Sequence, residues 1–379
     1  MMPVTAPASA YRFTGEDSLR TPALVVYPER VDRNVAATLA CLGGDAARWR
    51  PHVKTAKLAW TMRRLVERGV RHVKCATTLE LRTACEAGVA DALLAYPVAP
   101  PHIPRVAAIA AAHPGVRVSA IVDEEAAVSA WSGTGVGLFA DVDVGMHRTG
   151  RDVADLAGLV SLARTIVGAG VRFRGLHGYD GHVSSLPAGQ ARGLVHAAYD
   201  ALWEAAAAIA RAGIPVEEVV TAGTPALPHA AAYRGFANAD CLHRVSPGTV
   251  VYNDTTSLAE LPASLGYAPA ALVLTTVVSR PTRDRITCDA GHKAVSADAG
   301  VPTCAVLDRP DLVAAKPSEE HLPLLVHDPA RRPALGERLL LVPRHVCPTV
   351  NNFDHAVIVD GGRIAGVEPV TARGHDAPA

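Results

Sequence analysis

From residue 22 to about residue 250, short β-branched runs alternate with stretches whose apolar residues recur at helical spacing. The runs are Arg48–Val53, His72–Ala76, Ala92–Tyr96, Arg117–Val122, Val136–Val144, Arg172–Tyr179, Val216–Thr221 and Leu242–Val245. Eight runs so spaced, most followed by a helix pattern, predict an α/β fold of the (β/α)8, TIM-type barrel class. Over Lys57–Glu67, Leu58, Met62, Leu65 and Val66 fall on one helical stripe, and Gly69, Gly88 and Gly213 follow helix patterns where a left-handed terminus is expected. A helix carrying Val31, Val35, Leu39 and Leu42 precedes the first barrel run and itself follows a short strand, Ala23–Tyr27.

Beyond about residue 260 the period changes. Ala271–Ser279, Arg285–Asp289, Arg338–Val342 and Ala356–Val359 are β-branched runs parted by Pro, Gly and Asp, with little helix pattern between them. The expected organisation is a barrel over 22–258 and a C-terminal all-β domain over 259–379, with residues 1–21 packing against the latter.

Composition narrows the function classes. In 379 residues Lys plus Arg equals Asp plus Glu at 37 each, so no global field favours nucleic acid or an anionic membrane. The hydrophobic content of 49% suffices for a large core, yet no apolar run is long enough to cross a bilayer. The first twenty residues lack the basic-then-apolar order of a signal peptide and read as a loose tail partly captured by the fold. The seven cysteines are odd in number and include no CxxC pair, which fits reduced thiols and a cytoplasmic location.

Chemistry concentrates where barrel strands end, the face on which barrel active sites form. Arg50-Pro51-His52-Val53-Lys54-Thr55 places Lys54 at the tip of the first strand. Arg148 follows the fifth strand in Asp143-Val144-Gly145-Met146-His147-Arg148-Thr149-Gly150, and Tyr179 ends the sixth in Gly178-Tyr179-Asp180-Gly181-His182. Thr221-Ala222-Gly223-Thr224 follows the seventh and Ser246-Pro247-Gly248-Thr249 the eighth. Taken singly, such a lysine is a surface residue, a Gly-Thr pair is a turn, and Arg148 is an ion-pair partner for Asp143. Together on one rim, an amine able to form an imine and a glycine-bearing phosphate cradle describe a pyridoxal phosphate site.

RPHVKT, VDVGMHRTG, GYDGH, TAGT, SPGTVVYND, DAGHKAVSAD, SEEH and PRHVCPTVN, in this order over roughly residues 20–360, resemble the D-serine dehydratase / D-threonine aldolase family. These are pyridoxal phosphate enzymes with the alanine racemase fold. The resemblance implies that Lys54 carries the cofactor as an imine and that Arg148 contacts the ring's 3-oxygen. It also implies Tyr179 near the ring, Gly223 and Thr224 on the phosphate, Thr221 and Tyr252 among the cofactor contacts, and pairing as a homodimer. Ala56 departs from the family, in which many members carry His in a KTHK run.

His345 and Cys347 stand two apart on an expected strand, which would send both side chains to one face. Imidazole and thiolate suit Zn2+, with Mn2+ or Mg2+ as alternatives, and two protein ligands leave places for water or substrate. In isolation HxC is a buried cysteine beside an ordinary histidine; within PRHVCPTVN the resemblance favours the metal.

A cofactor of this kind withdraws electrons from the α-carbon of a bound amino acid, and the freed Lys54 amine can serve as base on its own face. Alanine racemases add a tyrosine base from the β domain. This chain has no tyrosine after Tyr267, which argues against a two-base racemase and for selectivity between enantiomers; the resemblance implies that the lysine face serves D-amino acids. The aldolase branch shows a YHGxxQH run and an HCD metal motif, where this chain reads YDGHVSS and HVC. Ser185 and Cys347 at those places favour dehydration of a D-3-hydroxy amino acid such as D-serine over retro-aldol cleavage to glycine and an aldehyde. His182 is a candidate acid or base, or a structural histidine at the rim; Cys75, Asp289, Lys293 and His321 are weaker candidates. A reading of another class, a non-catalytic pyridoxal phosphate carrier or regulatory protein, fits single-barrel relatives that lack both the β domain and the metal motif.

Overall fold

The computed structural model describes residues 7–236 and 240–377. It contains two compact units, one built from residues 39–54, 59–236, 240–248 and 375–377 and the other from residues 7–38, 55–58 and 249–374. The first six residues of the expected N-terminal tail lie outside the described residues.

In the first unit seven strands run parallel in the order His72–Cys75, Asp91–Leu94, Arg117–Val122, Gly137–Asp143, Phe173–Gly178, Glu218–Thr221 and Leu242–Val245. The barrel is closed by residues 49–53. Trp49 bridges Val245 and His52 bridges Lys74, with Arg50 N donating to Val245 O at 2.9 Å and Val53 N to Lys74 O at 2.8 Å. The expected first strand, Arg48–Val53, is therefore reduced to bridges; Pro51 has no N–H with which to extend a ladder. Leu93, Ile121, Phe139 and Val220, one from each of four strands, pack as an apolar layer inside. Both faces of these strands are buried, as parallel sheets require.

At the amino ends of the strands lies a buried ion network. Arg50 Nε and Nη2 hold both carboxylate oxygens of Glu218 at 2.7 and 2.9 Å, and its Nη1 donates to Asp91 at 2.8 Å. Arg174 Nη2 holds the other Asp91 oxygen at 2.9 Å. Burial opposes the charge on Asp91, but Arg50 and Arg174 outweigh it and hold its carboxyl well below the usual range. A depressed carboxylate contributes stability above its unfolded pKa of about 3.9, and that contribution is lost as pH falls through the lower folded value. Asp91→Ala leaves two guanidinium groups buried without this partner and is expected to cost about 3–5 kcal/mol in urea unfolding. Unchanged unfolding midpoints would sink this assignment.

The second unit is a nine-stranded sheet in the order Arg285–Cys288, Leu322–Val326, Leu312–Ala314, Cys304–Val306, Arg338–Pro343, Ala271–Thr282, Ala23–Val26, His355–Asp360 and Arg363–Pro369. Arg285–Cys288 also pairs with Ala271–Thr282, which curls the sheet on itself. All pairs are antiparallel except Ala23–Val26 with His355–Asp360. The N-terminal strand thus joins this sheet. Alternation along Ala271–Thr282 sends Val273 and Val277 into one apolar cluster and Leu272 and Leu274 into another. Tyr11 and Phe13 are buried in the latter, and the Tyr11 hydroxyl donates to Pro269 O at 3.0 Å, so the tail is captured by residue 11.

Candidate active site and soft-ligand pair

Lys54 lies in the turn that follows the His52 bridge and is half-buried. The turn passes close to the segment after the last strand. A Cβ at Gly248 would come within 2.2 Å of the His52 carbonyl oxygen, so only glycine permits this approach.

Opposite, Asp143 accepts the N–H groups of Gly145 and His147 at 2.9 and 3.0 Å, which shapes the loop carrying Arg148. The Arg148 guanidinium stacks 4.9 Å from the Tyr179 ring centre. The same ring takes a second cation, Lys74 Nζ at 5.6 Å. Lys74 is buried, its Nζ lies 3.3 Å from His177 Nε2, and His177 Nδ1 lies 2.7 Å from Asp141 Oδ1. Burial, and after it the charge of Lys54, push the Lys74 amine down to about 7.

Asp180, fully buried, ties this loop to the next. It accepts the Tyr199 hydroxyl at 2.7 Å and the Gly223 N–H at 2.8 Å, and burial pushes its carboxyl above the ordinary value. The Gly223 N–H is thereby engaged, and the place of this glycine is steric: a Cβ there would stand 3.1 Å from the Tyr179 ring. The Thr221 hydroxyl is likewise taken, by His243 Nε2 at 2.7 Å. The hydroxyls of Thr224 and Ser246, each just past the end of its strand, are buried and find no partner among the described residues. Two neutral donors left unsatisfied in this way fit a phosphate ester, and Lys54 in the same unit fits an aldehyde. Asp180→Asn should keep the Tyr199 and Gly223 contacts strained or lost, cost about 1–3 kcal/mol, and weaken cofactor retention on gel filtration. Full retention with unchanged stability would count against this role.

His182 lies in the short turn Gly181–Val183, its ring 3.2 Å from where a Gly145 Cβ would stand, with Nδ1 buried and unpartnered among the described residues. Ser185 is exposed on a turn with φ 67°.

In the other unit, the strand Arg338–Pro343 stops before His345. His345 caps the helix Val346–Asn351 and Cys347 lies in its first turn, so the expectation of two residues on one strand face is corrected. Pro348 explains the change, since a proline without N–H is tolerated in a first helical turn. The two side chains still meet, in a hydrogen bond. Burial opposes charge on His345, but its contacts with Cys347 and Asp298 outweigh this and push the imidazole up to about 9. Asp298 Oδ2 lies 2.6 Å from His345 Nδ1, and the hydroxyls of Thr55 and Thr249 lie 3.0 and 3.7 Å from Cys347 Sγ. A carboxylate behind the histidine and hydroxyls toward the sulfur fit a soft metal ion bound by imidazole and thiolate. Among the described residues no group of three or more His, Cys, Asp or Glu could hold a metal, and the candidate ligands here are His345 and Cys347.

Tyr252 is buried in this second unit with its hydroxyl on Ala56 O at 3.2 Å. Lys293 forms an exposed pair with Glu319 and Glu320, and Asp289 accepts from Thr275 and Thr276, so both are structural. Cys75 is buried at its strand end. Lys74, His177, Asp141 and Asp180 were not legible as site residues. Their signal was a polar side chain between apolar neighbours on strands buried on both faces, or just past one.

Two family models match the chain: "Alanine racemase, N-terminal domain" over residues 26–256 and "Putative serine dehydratase domain" over residues 270–359. A D-threonine aldolase from Arthrobacter sp. is 29% identical over 363 residues, 93% of each chain. A D-threo-3-hydroxyaspartate dehydratase from Delftia sp. (strain HT23) is 27% identical over 372 residues, 91% of this chain and 96% of that one. The crystal structure of a D-threonine aldolase from Filomicrobium marinum superposes with a TM-score of 0.86 at 27% identity, covering 94% of this chain and 97% of its own. No helix among the described residues is long and apolar enough to cross a membrane. The chain belongs to the alanine racemase-like D-serine dehydratase and D-threonine aldolase family of pyridoxal phosphate-dependent lyases.

Proposed function

We propose that the chain dehydrates a D-3-hydroxy amino acid, D-serine being the simplest, to a 2-oxo acid and ammonia, with a metal ion bound by His345 and Cys347. The observation that carries the reading is the pairing of a half-buried Lys54 with two orphaned hydroxyls, Thr224 and Ser246, on one barrel unit. When bound, pyridoxal phosphate supplies an electron sink at the α-carbon and Zn2+ a Lewis acid for a leaving hydroxide.

The chain's own residues divide the remaining work. Thr224 and Ser246 donate to the phosphate. Arg148 and Tyr179, stacked together, present a flat cationic wall that orients the ring. Lys54 Nζ takes the α-proton on its own face, and a base acting from that one face sets the preference for one enantiomer. Asp298 fixes the His345 ring so that its other nitrogen is turned to Cys347, where the ion would bind. Support for dehydration over retro-aldol cleavage comes from Ser185, an exposed serine in the place where the aldolase run carries histidine. The reading takes the enzyme as a cytoplasmic homodimer, which light scattering checks by a mass twice that of the chain.

Incubation with D-serine should yield pyruvate and ammonia in equal amounts, and L-serine should yield neither. Glycine and acetaldehyde from D-threonine, with no 2-oxo acid from any D-3-hydroxy amino acid, would give the assignment to the aldolase reaction instead.

A further inference from the structure

Lys74 is an ionisable side chain in a place that packing alone would fill with an apolar one. Its register partner on the next strand is Leu93, which packs with Ile121, Phe139 and Val220 in an apolar layer. Lys74 is held by a hydrogen-bonded series, Asp141 to His177 to Lys74, at 2.7 and 3.3 Å. Its own carbonyl accepts the N–H of Val53, the residue before Lys54. Its ammonium shares the face of Tyr179 with Arg148.

We propose that Lys74 is a positioning residue for Lys54: a second amine, fixed by His177 and Asp141, whose charge sets the protonation of the linkage between Lys54 and the cofactor. The inference rests on the reading of Lys54 as the cofactor lysine. The groups facing Lys74 are Lys54 from the turn, Arg148 from the loop after the fifth strand, Asp141 from that strand, and His177, Tyr179 and Asp180 from the sixth strand and its loop. Two cations thus face two carboxylates, and Lys74 adds a third amine or guanidinium to this group. A neighbouring cation disfavours protonation of a nitrogen, so while it carries its charge, up to about pH 7, Lys74 keeps the Lys54 nitrogen deprotonated at lower pH than an apolar residue would. Because the two amines interact, their protons leave in steps belonging to the pair.

The test begins with borohydride reduction of the cofactor-loaded enzyme and peptide mapping. Label on Lys54 is expected. An enzyme that retains no label sinks the functional reading itself, and label on Lys74 overturns the present inference. The absorption band of the loaded enzyme is then titrated from about pH 6 to about pH 10. Lys74→Met, which keeps volume and removes a buried charge, should raise the midpoint by about 1 pH unit, whereas Lys74→Arg should leave it within a few tenths. His177→Phe removes the acceptor that favours the charged Lys74 and should shift the midpoint the same way by less. A purely structural role would lower the melting temperature and leave the midpoint in place. Label on Lys54 with an unchanged midpoint in both Lys74→Met and His177→Phe overturns the inference while leaving the functional reading intact.

Discussion

Lys54→Ala is expected to lower 2-oxo acid formation by about 10⁴-fold or more and to abolish the label fixed by borohydride. Both losses come from one nitrogen. Lys54 lies in the turn after the His52 bridge, and its amine is the group assigned to the α-proton. Removing it leaves the phosphate donors Thr224 and Ser246 and the Arg148–Tyr179 wall in place, so cofactor should still bind, more weakly and without covalent attachment. A small exogenous amine such as methylamine should therefore restore a measurable part of the rate. Lys54→Arg, whose guanidinium stays protonated, should not be rescued. A variant keeping more than about one tenth of the wild-type rate would place the base elsewhere, with His182 next in line.

The fold was largely legible because its signals are periodic. Seven parallel strands lie within a few residues of the runs that hydrophobic patterning marks, and five strands of the nine-stranded sheet do as well. Patterning missed four strands of that sheet, Cys304–Val306, Leu312–Ala314, Leu322–Val326 and Arg363–Pro369, of which the first two are too brief for a period of two to emerge. Two other failures share a residue type. Pro51 reduces the first barrel strand to bridges, and Pro348 starts a helix where a strand was expected, each because a missing N–H changes which ladder the backbone can join.

The site was legible where its residues sit in loops and not where they sit in strands. Lys54, Arg148, Tyr179, Thr224, His345 and Cys347 stand in runs rich in glycine, proline or threonine, where a side chain with chemistry is conspicuous. Lys74 between Val73 and Cys75, Asp141 between Ala140 and Val142, and His177 between Leu176 and Gly178 read as ordinary strand positions. Only closure of the barrel, by residues 49–53, turns these three side chains toward each other. Gly223 shows the converse: the motif placed it correctly in the loop, yet its N–H is spent on Asp180, a bond no linear pattern announces.

Cys347→Ala is expected to reduce bound metal to a small fraction of one ion per chain and to lower dehydration by about 10²–10³-fold, with the cofactor band unchanged. In the proposed pair, loss of the thiolate leaves His345 alone, and one imidazole does not hold a divalent ion against dilution. The loss is specific to the β-carbon: an expelled hydroxide needs a Lewis acid, whereas removal of the α-proton does not. Exchange of the α-hydrogen of D-serine with solvent deuterium, followed by NMR, should therefore persist in Cys347→Ala and disappear in Lys54→Ala. Exhaustive chelation of the wild type should reproduce the variant, and added Zn2+ should restore the chelated wild type but not Cys347→Ala. Asp298→Asn, which weakens the support behind His345, should lower metal affinity by about 10–100-fold while high Zn2+ recovers the rate. Full dehydration by the chelated enzyme would remove the metal from the reaction and leave His345 and Cys347 as a structural pair at the start of their helix.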